Sequence, residues 1–214
     1  MDFPLKYMPI FRVRPEETKV LKSFDFGDKI YPCLEIVKEL DRANSKKKED
    51  TQISLFGQKK EKTFESVYIP LIRSIKADKV FIDLPVHLPQ SRNTNPPTLL
   101  FLRTVVTNRE KRTEYLKKLK PVSSKVIPII SSYLQINGEG DSISIQEKEI
   151  RNDFETLAFR TFIETFPQDI EQIKKSIRPN DFIIMDFENN DLDRDDGDVQ
   201  DIVQDFKNLN CKII

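Results

Sequence analysis

The chain has 214 residues, 38% of them hydrophobic and 33% charged, enough to bury one substantial core, so a single domain over residues 1–214 is expected. Thirty-five basic residues balance thirty-five acidic ones, and that zero net charge argues against direct nucleic-acid binding, which normally uses a basic face. No apolar run approaches the ~20 residues that cross a bilayer, and the opening MDFPLKYMPIF lacks the basic end and apolar centre of a signal peptide, so no membrane partner is expected and the chain reads as cytoplasmic.

In chain order, the first compact apolar block is YMPIFRV (7–13), read as a strand, followed by a helix over 15–24. Pro15 suits that helix's first turn, and Val20, Leu21 and Phe24 share a side. IYPCLEIV (30–37) is a second strand. A charged tract, 38–63, follows it and is longer than a normal α/β connection. Phe64, Val67, Tyr68, Leu71, Ile72 and Ile75 make the stripe of an amphipathic helix over 64–75, with Pro70 inside it. KVFIDLP (79–85) is a third strand; His87, the only histidine, reads as a loop or packing residue beyond it. Residues 97–119 hold two helical pieces, and KVIPIISSY (125–133) is a fourth strand.

QINGEGDSISI (135–145) reads as a hairpin turning over 137–141. Phe154, Leu157, Ala158 and Phe162 lie at helical spacing within 150–166, and Pro167 opens a second helix ending near Ile177. DFIIMDFE (181–188) is a fifth strand, Ile202, Val203 and Phe206 mark a helix over 199–209, and CKII (211–214) is a sixth strand. Cys33 and Cys211 sit in strand-like runs and read as buried free thiols.

Strand then helix, repeated five times with strands apolar on both faces, predicts an α/β fold with a parallel sheet and right-handed crossovers. The expected architecture is a parallel (β/α) barrel-like fold of TIM type. Such a barrel needs eight strands and roughly 250 residues. Six units are readable, so the barrel is expected to be incomplete, the N-terminal portion of a longer one, with a complete open sheet as the alternative. The opening YMPIFRVRPEETKVLKSFDFGDKIYPCLEIV resembles the start of the phage-associated "beta protein" family, with its Tyr-x-Pro-Ile strand, helix and x-Pro-x-x-Glu-Ile strand. KVFIDLP and KVIPII look like its later strands. That resemblance implies a barrel in a longer phage or bacterial protein and brings no catalytic residue with it.

Functional groups of parallel α/β folds collect beyond the carboxyl ends of strands. There the sequence places Arg12, Arg14, Glu35, Asp83, Asp186 and Glu188. Side chains alternate along a strand, so Asp186 and Glu188 share a face. If these faces meet in one mouth, four carboxylates converge beside two guanidiniums, and could bind Mg²⁺ through oxygens or supply a general acid and base. The same acids would equally serve as helix caps or arginine partners. Asp191, Asp193 and Asp195 have EF-hand spacing, but Asp196 stands where that loop needs Gly and Ile202 where it needs Glu, so no calcium loop is expected. Nucleophile-elbow, P-loop and dinucleotide glycine patterns are absent.

Within the charged tract, Gln52-Ile53-Ser54-Leu55-Phe56 resembles the bacterial sliding-clamp-binding pentapeptide. In such peptides the Gln enters a polar pocket, and the Leu and Phe enter an apolar cleft. The competing reading folds Leu55 and Phe56 back over the mouth as a lid. Two functions follow: an interaction protein that engages the sliding clamp through Gln52, Leu55 and Phe56, with Arg12 and Arg14 as further binding residues, or a metal-assisted hydrolase using Glu35, Asp83, Asp186 and Glu188. The first is preferred and needs no cofactor; the second calls for Mg²⁺.

Overall fold

The computed structural model describes residues 5–39, 63–86, 95–187, 204, 209 and 211–214. Its strands are β1 (Ile10–Phe11), β2 (Asp25–Gly27), β3 (Cys33–Glu35), β4 (Lys76–Ala77), β5 (Val80–Asp83), β6 (Val126–Ser131), β7 (Ala158–Phe162), β8 (Phe182–Asp186) and β9 (Lys212–Ile213). The helices are α1 (Pro15–Ser23), α2 (Phe64–Ser74), α3 (Pro96–Thr107), α4 (Arg109–Lys117), α5 (Leu134–Asn137), α6 (Ser142–Ile150) and α7 (Phe166–Ser176). Seven strands form one all-parallel sheet in the order β1-β3-β5-β6-β7-β8-β9, and β2 pairs with β4 in a small parallel ribbon of their own.

The order rises steadily with chain position. Successive right-handed crossovers then fall on the same face of the sheet, which places the described helices on one side and leaves the other side to curl on itself. Alternation along the strands sorts the side chains accordingly. Leu34, Val80, Ile82, Val126, Ile130, Phe159 and Ile183 face the helices and pack with Leu21, Phe64, Tyr68, Ile72, Phe101, Val105, Leu116, Ile143, Ile150, Ile170 and Ile173. Cys33, Phe81, Ile127, Ile129, Ala158, Phe182 and Ile184 have the opposite parity and form a second core that contains no helical residue.

The curl is visible in one pair. Phe81 on β5 and Phe182 on β8 stand three strands apart, a span of ~14 Å on a flat sheet. Their ring centroids are 5.0 Å apart, edge to face, with Tyr31 6.3 Å from Phe81 on the other side. Only a concave face brings them together.

Local chemistry sets the helix ends. Pro15 occupies the first turn of α1, and the Glu17 carboxylate accepts the Arg14 N–H at 3.0 Å. Thr63 and Ser66 form a reciprocal cap on α2, and Pro70 lies on that helix's exposed side, where the carbonyl it cannot bond meets water. Gly138 closes α5 with φ 78°, a left-handed conformation that a side chain would strain.

The sequence expectations for α1, α2, the two helical pieces α3 and α4, the helix α7 and six strands all match. Three do not. The segment expected as a helix over 150–166 is a helix only to Ile150; Ala158–Phe162 is the strand β7, so the sheet has seven strands where six were read. The run 135–145 is α5 and the start of α6 joined through Gly138, not a hairpin; Tyr133 and Glu139 make only an isolated antiparallel bridge. The β2–β4 ribbon was not anticipated. Cys33 is a buried free thiol as expected, whereas Cys211 is partly exposed. His87, most of the 199–209 helix and residues 40–62 of the charged tract lie outside the described residues.

The interior ring stack should carry much of the stability. Phe81→Ala is expected to cost ~3–5 kcal/mol in chemical denaturation, because the void between Tyr31 and Phe182 cannot collapse. Phe24→Ala, at a ring 49% exposed, should cost far less.

Candidate functional site

The concave face divides into two halves. Its amino-end half is the aromatic and aliphatic cluster around Phe81, with Leu5, Met8 and Ile214 packed against it. Following the same parity toward the carboxyl ends, the next inward positions are Arg12 after β1, Glu35 on β3, Asp83 on β5, Ser131 on β6, Arg160 on β7 and Asp186 on β8. Polar groups therefore replace apolar ones at the end of the sheet where parallel α/β proteins place their sites.

These groups form one alternating chain of charge. Arg12 Nε donates to Glu35 Oε2 at 3.1 Å, and Glu35 Oε1 stands 4.0 Å from Arg160 Nη1. Arg160 donates from Nη1 to Asp83 Oδ2 at 2.6 Å, and from Nε (2.8 Å) and Nη2 to Asp186 Oδ2. Its guanidinium carbon also lies 5.8 Å from the Phe162 ring centre. Asp83 Oδ1 accepts a further bond, at 3.1 Å, from Arg112 Nη2 of α4.

Arg112 and Asp83 are both fully buried. A buried guanidinium needs acceptors, and each Arg112 nitrogen has one: besides Asp83, the carbonyls of Leu84 (2.9 Å) and Ile129 (2.7 Å) accept from it, with Gln146 Oε1 of α6 at 2.8 Å. Gln146 in turn donates to the carbonyls of Ser131 (2.8 Å) and Ser142 (2.9 Å). Burial works against the Arg160 charge, but Asp83 and Asp186 outweigh it and raise its pKa above the usual arginine value. Burial first, and then Asp83, push the Cys33 thiol well up, so it stands as a neutral group beneath the charges.

Of the residues the sequence singled out, Glu35, Asp83, Asp186 and Arg12 do converge. Arg14 does not join them: it is exposed at the N-cap of α1, on the other side of Val13. Val13 is buried and has φ 53°, a left-handed conformation that costs a β-branched residue ~1–3 kcal/mol. The turn it makes separates the two neighbouring arginines. Glu188, Gln52, Leu55 and Phe56 lie outside the described residues.

Sequence reasoning missed Arg160 and Arg112. Arg160 sits in LAFRTFI, whose aromatic and β-branched residues without a helix cap were the available strand signal. Arg112 lies in a run of charges, yet it stands one turn before Leu116, which puts it on the apolar face of α4.

Glu35, Asp83 and Asp186 each pair with a guanidinium that offsets their charge, and among the described residues no group of three metal-ligating side chains comes together. Nor is any described helix long and apolar enough to cross a membrane.

One further buried acid lies on the helix side of the sheet. Asp169 of α7 is fully buried; Thr161 Oγ1 donates to its Oδ2 at 3.2 Å, and its Oδ1 has no hydrogen bond. Burial raises its pKa despite the neighbouring hydroxyls of Thr165, Ser132 and Thr161.

The geometry makes two sets of expectations. Arg112→Ala takes the donor from buried Asp83 Oδ1 and from two buried carbonyls, leaving Asp83 to the Arg160 guanidinium, and should cost ~3–5 kcal/mol in urea unfolding. Arg12→Ala removes a half-exposed guanidinium from a buried carboxylate that still faces Arg160 at 4.0 Å, and should cost less, ~1–2 kcal/mol. A carboxyl with a raised folded pKa favours the native state in acid, and that contribution is lost as pH rises through its folded value. Asp169→Asn should therefore raise the melting temperature relative to wild type at neutral pH, with the gain shrinking as pH falls into the ordinary carboxylate range. A constant difference across pH would refute the assignment.

Comparison with curated proteins and with solved structures returned no match. The family model described as "Beta protein" matches residues 7–214, which runs from the first strand through the last and takes in every residue of the charged mouth. The chain thus belongs to the Beta protein family.

Proposed function

We propose that this Beta protein family member is a cytoplasmic, phage-associated interaction protein on a TIM-type scaffold, and that residues 52–56 dock it on a bacterial sliding clamp. What supports the scaffold is the steadily rising parallel strand order and the curl that joins Phe81 to Phe182.

The observation that carries the docking is how both ends of the 40–62 tract are held. The chain leaves Glu35 at the carboxyl end of β3, and within four residues two tyrosines catch it. Tyr68 of α2, fully buried, donates its hydroxyl to the Lys38 carbonyl at 2.5 Å. Tyr115 of α4, wedged between the rings of Phe64 (5.0 Å) and Phe101 (5.1 Å), donates to the Glu39 carboxylate at 2.8 Å. The tract re-enters at Thr63, whose side chain caps α2.

Rigid roots at the carboxyl end of the sheet are how this class of fold presents binding segments. Between those roots, Gln52, Leu55 and Phe56 stand among Lys46, Lys47, Lys48, Lys59 and Lys60, whose charge favours encounter with an acidic clamp surface.

Calorimetric titration of the full chain with a bacterial sliding clamp tests this. Wild type should bind, and Leu55→Ala and Phe56→Ala should each cost ~1–3 kcal/mol of affinity with melting temperatures unchanged. A peptide spanning residues 48–60 should bind by itself. No binding by wild type, or a drop in melting temperature for Phe56→Ala, overturns the proposal in favour of a lid.

A further inference from the structure

We infer that the charged mouth receives a small oxyanion, a carboxylate or phosphate group, on the terminal nitrogens of Arg12. This site is separate from the partner-docking segment and does not rest on it.

Among the described residues three arginines meet at the mouth, and two are spent. Arg112 is fully buried with every nitrogen engaged, and the Arg160 side chain is 9% exposed and bonded to Asp83 and Asp186. Arg12 differs. Its side chain is 47% exposed, and its one bond among the described residues is from Nε to Glu35. Glu35 is only 4% exposed on its side chain and also faces Arg160, so it fixes the Arg12 guanidinium plane while its own charge is offset from two sides. The Nη1–Nη2 edge is left with parallel N–H donors, an arrangement matched by two oxygens of a carboxylate or phosphate.

The backbone gives an independent observation. Among the described residues, Val13 is the sole non-glycine with positive φ, and it directly follows Arg12. A β-branched residue stays left-handed only where its surroundings over-determine it, and such strain concentrates at ligand sites. Here the turn buries Val13 among helix-side apolar groups while Arg12 keeps the inward parity of Ile10.

The test titrates the full chain with sodium phosphate and, in parallel, with sodium succinate at ionic strength held constant by sodium chloride, read by calorimetry and thermal shift. Wild type should show saturable binding of at least one anion, and the tighter of the two identifies the group. Arg12→Ala should weaken it about tenfold or more, and Arg12→Lys, which keeps the charge but loses the fork, at least about threefold. Lys19→Ala, on the exposed side of α1, should bind as wild type does. The inference is overturned if wild type saturates with neither anion, or if Arg12→Lys binds as tightly as wild type. Should Arg12→Ala fail to fold, the lysine variant decides alone.

Discussion

Asp83 is a carboxylate with no exposure to water, and it can stand at the end of β5 only because two guanidiniums reach it from opposite sides. Taking such an ion from water costs several kcal/mol, so each partner must be well placed and must itself be satisfied. That demand spreads. Arg160 brings β7 and, through Asp186, β8; Arg112 brings α4, the ends of β5 and β6, and, through Gln146, α6. A slip of one residue in any of these strands would turn a charged group toward the apolar helix layer. The network therefore acts as a register lock across the middle of the sheet, over and above whatever net stability it supplies.

The lock also explains the division of the concave face. A curled sheet has no helix to fill its interior, so its own side chains must do so. At the amino end, aromatic rings meet across the strands. At the carboxyl end, where the chain emerges into its βα connections, arginines and carboxylates fill the same space in pairs. The apolar floor gives rigidity beneath, and the polar rim gives directed hydrogen bonds at the opening. α4 joins this rim to the root of the 40–62 tract, since Arg112 clasps Asp83 and Tyr115, one turn later, holds Glu39.

How much of this was legible follows from the kind of signal each element gives. Strands with strong apolar runs, such as β5, β6 and β8, and helices with a clear stripe and a proline at the start, such as α1 and α7, read directly. β7 did not, because Phe154, Leu157, Ala158 and Phe162 happen to fit a helical period, and a single charge in the middle of LAFRTFI looked like a polar face. Its stability as a strand comes from backbone pairing with β6 and β8, partners distant in sequence. The two-residue strands of the β2–β4 ribbon have no local pattern at all.

By itself the sequence determined the α/β class and the parallel character of the sheet, and it put Arg12, Arg14, Glu35, Asp83, Asp186 and Glu188 at the strand carboxyl ends, because these depend on local periodicity and on the two-residue alternation of a strand. That Arg12, Glu35, Asp83 and Asp186 turn inward together while Arg14 turns away came from the structure. The tertiary structure alone decided what those charges do. Whether an acid is a bare ligand or an arginine's partner depends on groups brought in from other elements, here Arg160 from an unread strand and Arg112 from a helix that looked solvated. Pairing across dozens of residues leaves no trace in local spacing; it is settled only when burial removes the water that would otherwise have satisfied each charge separately.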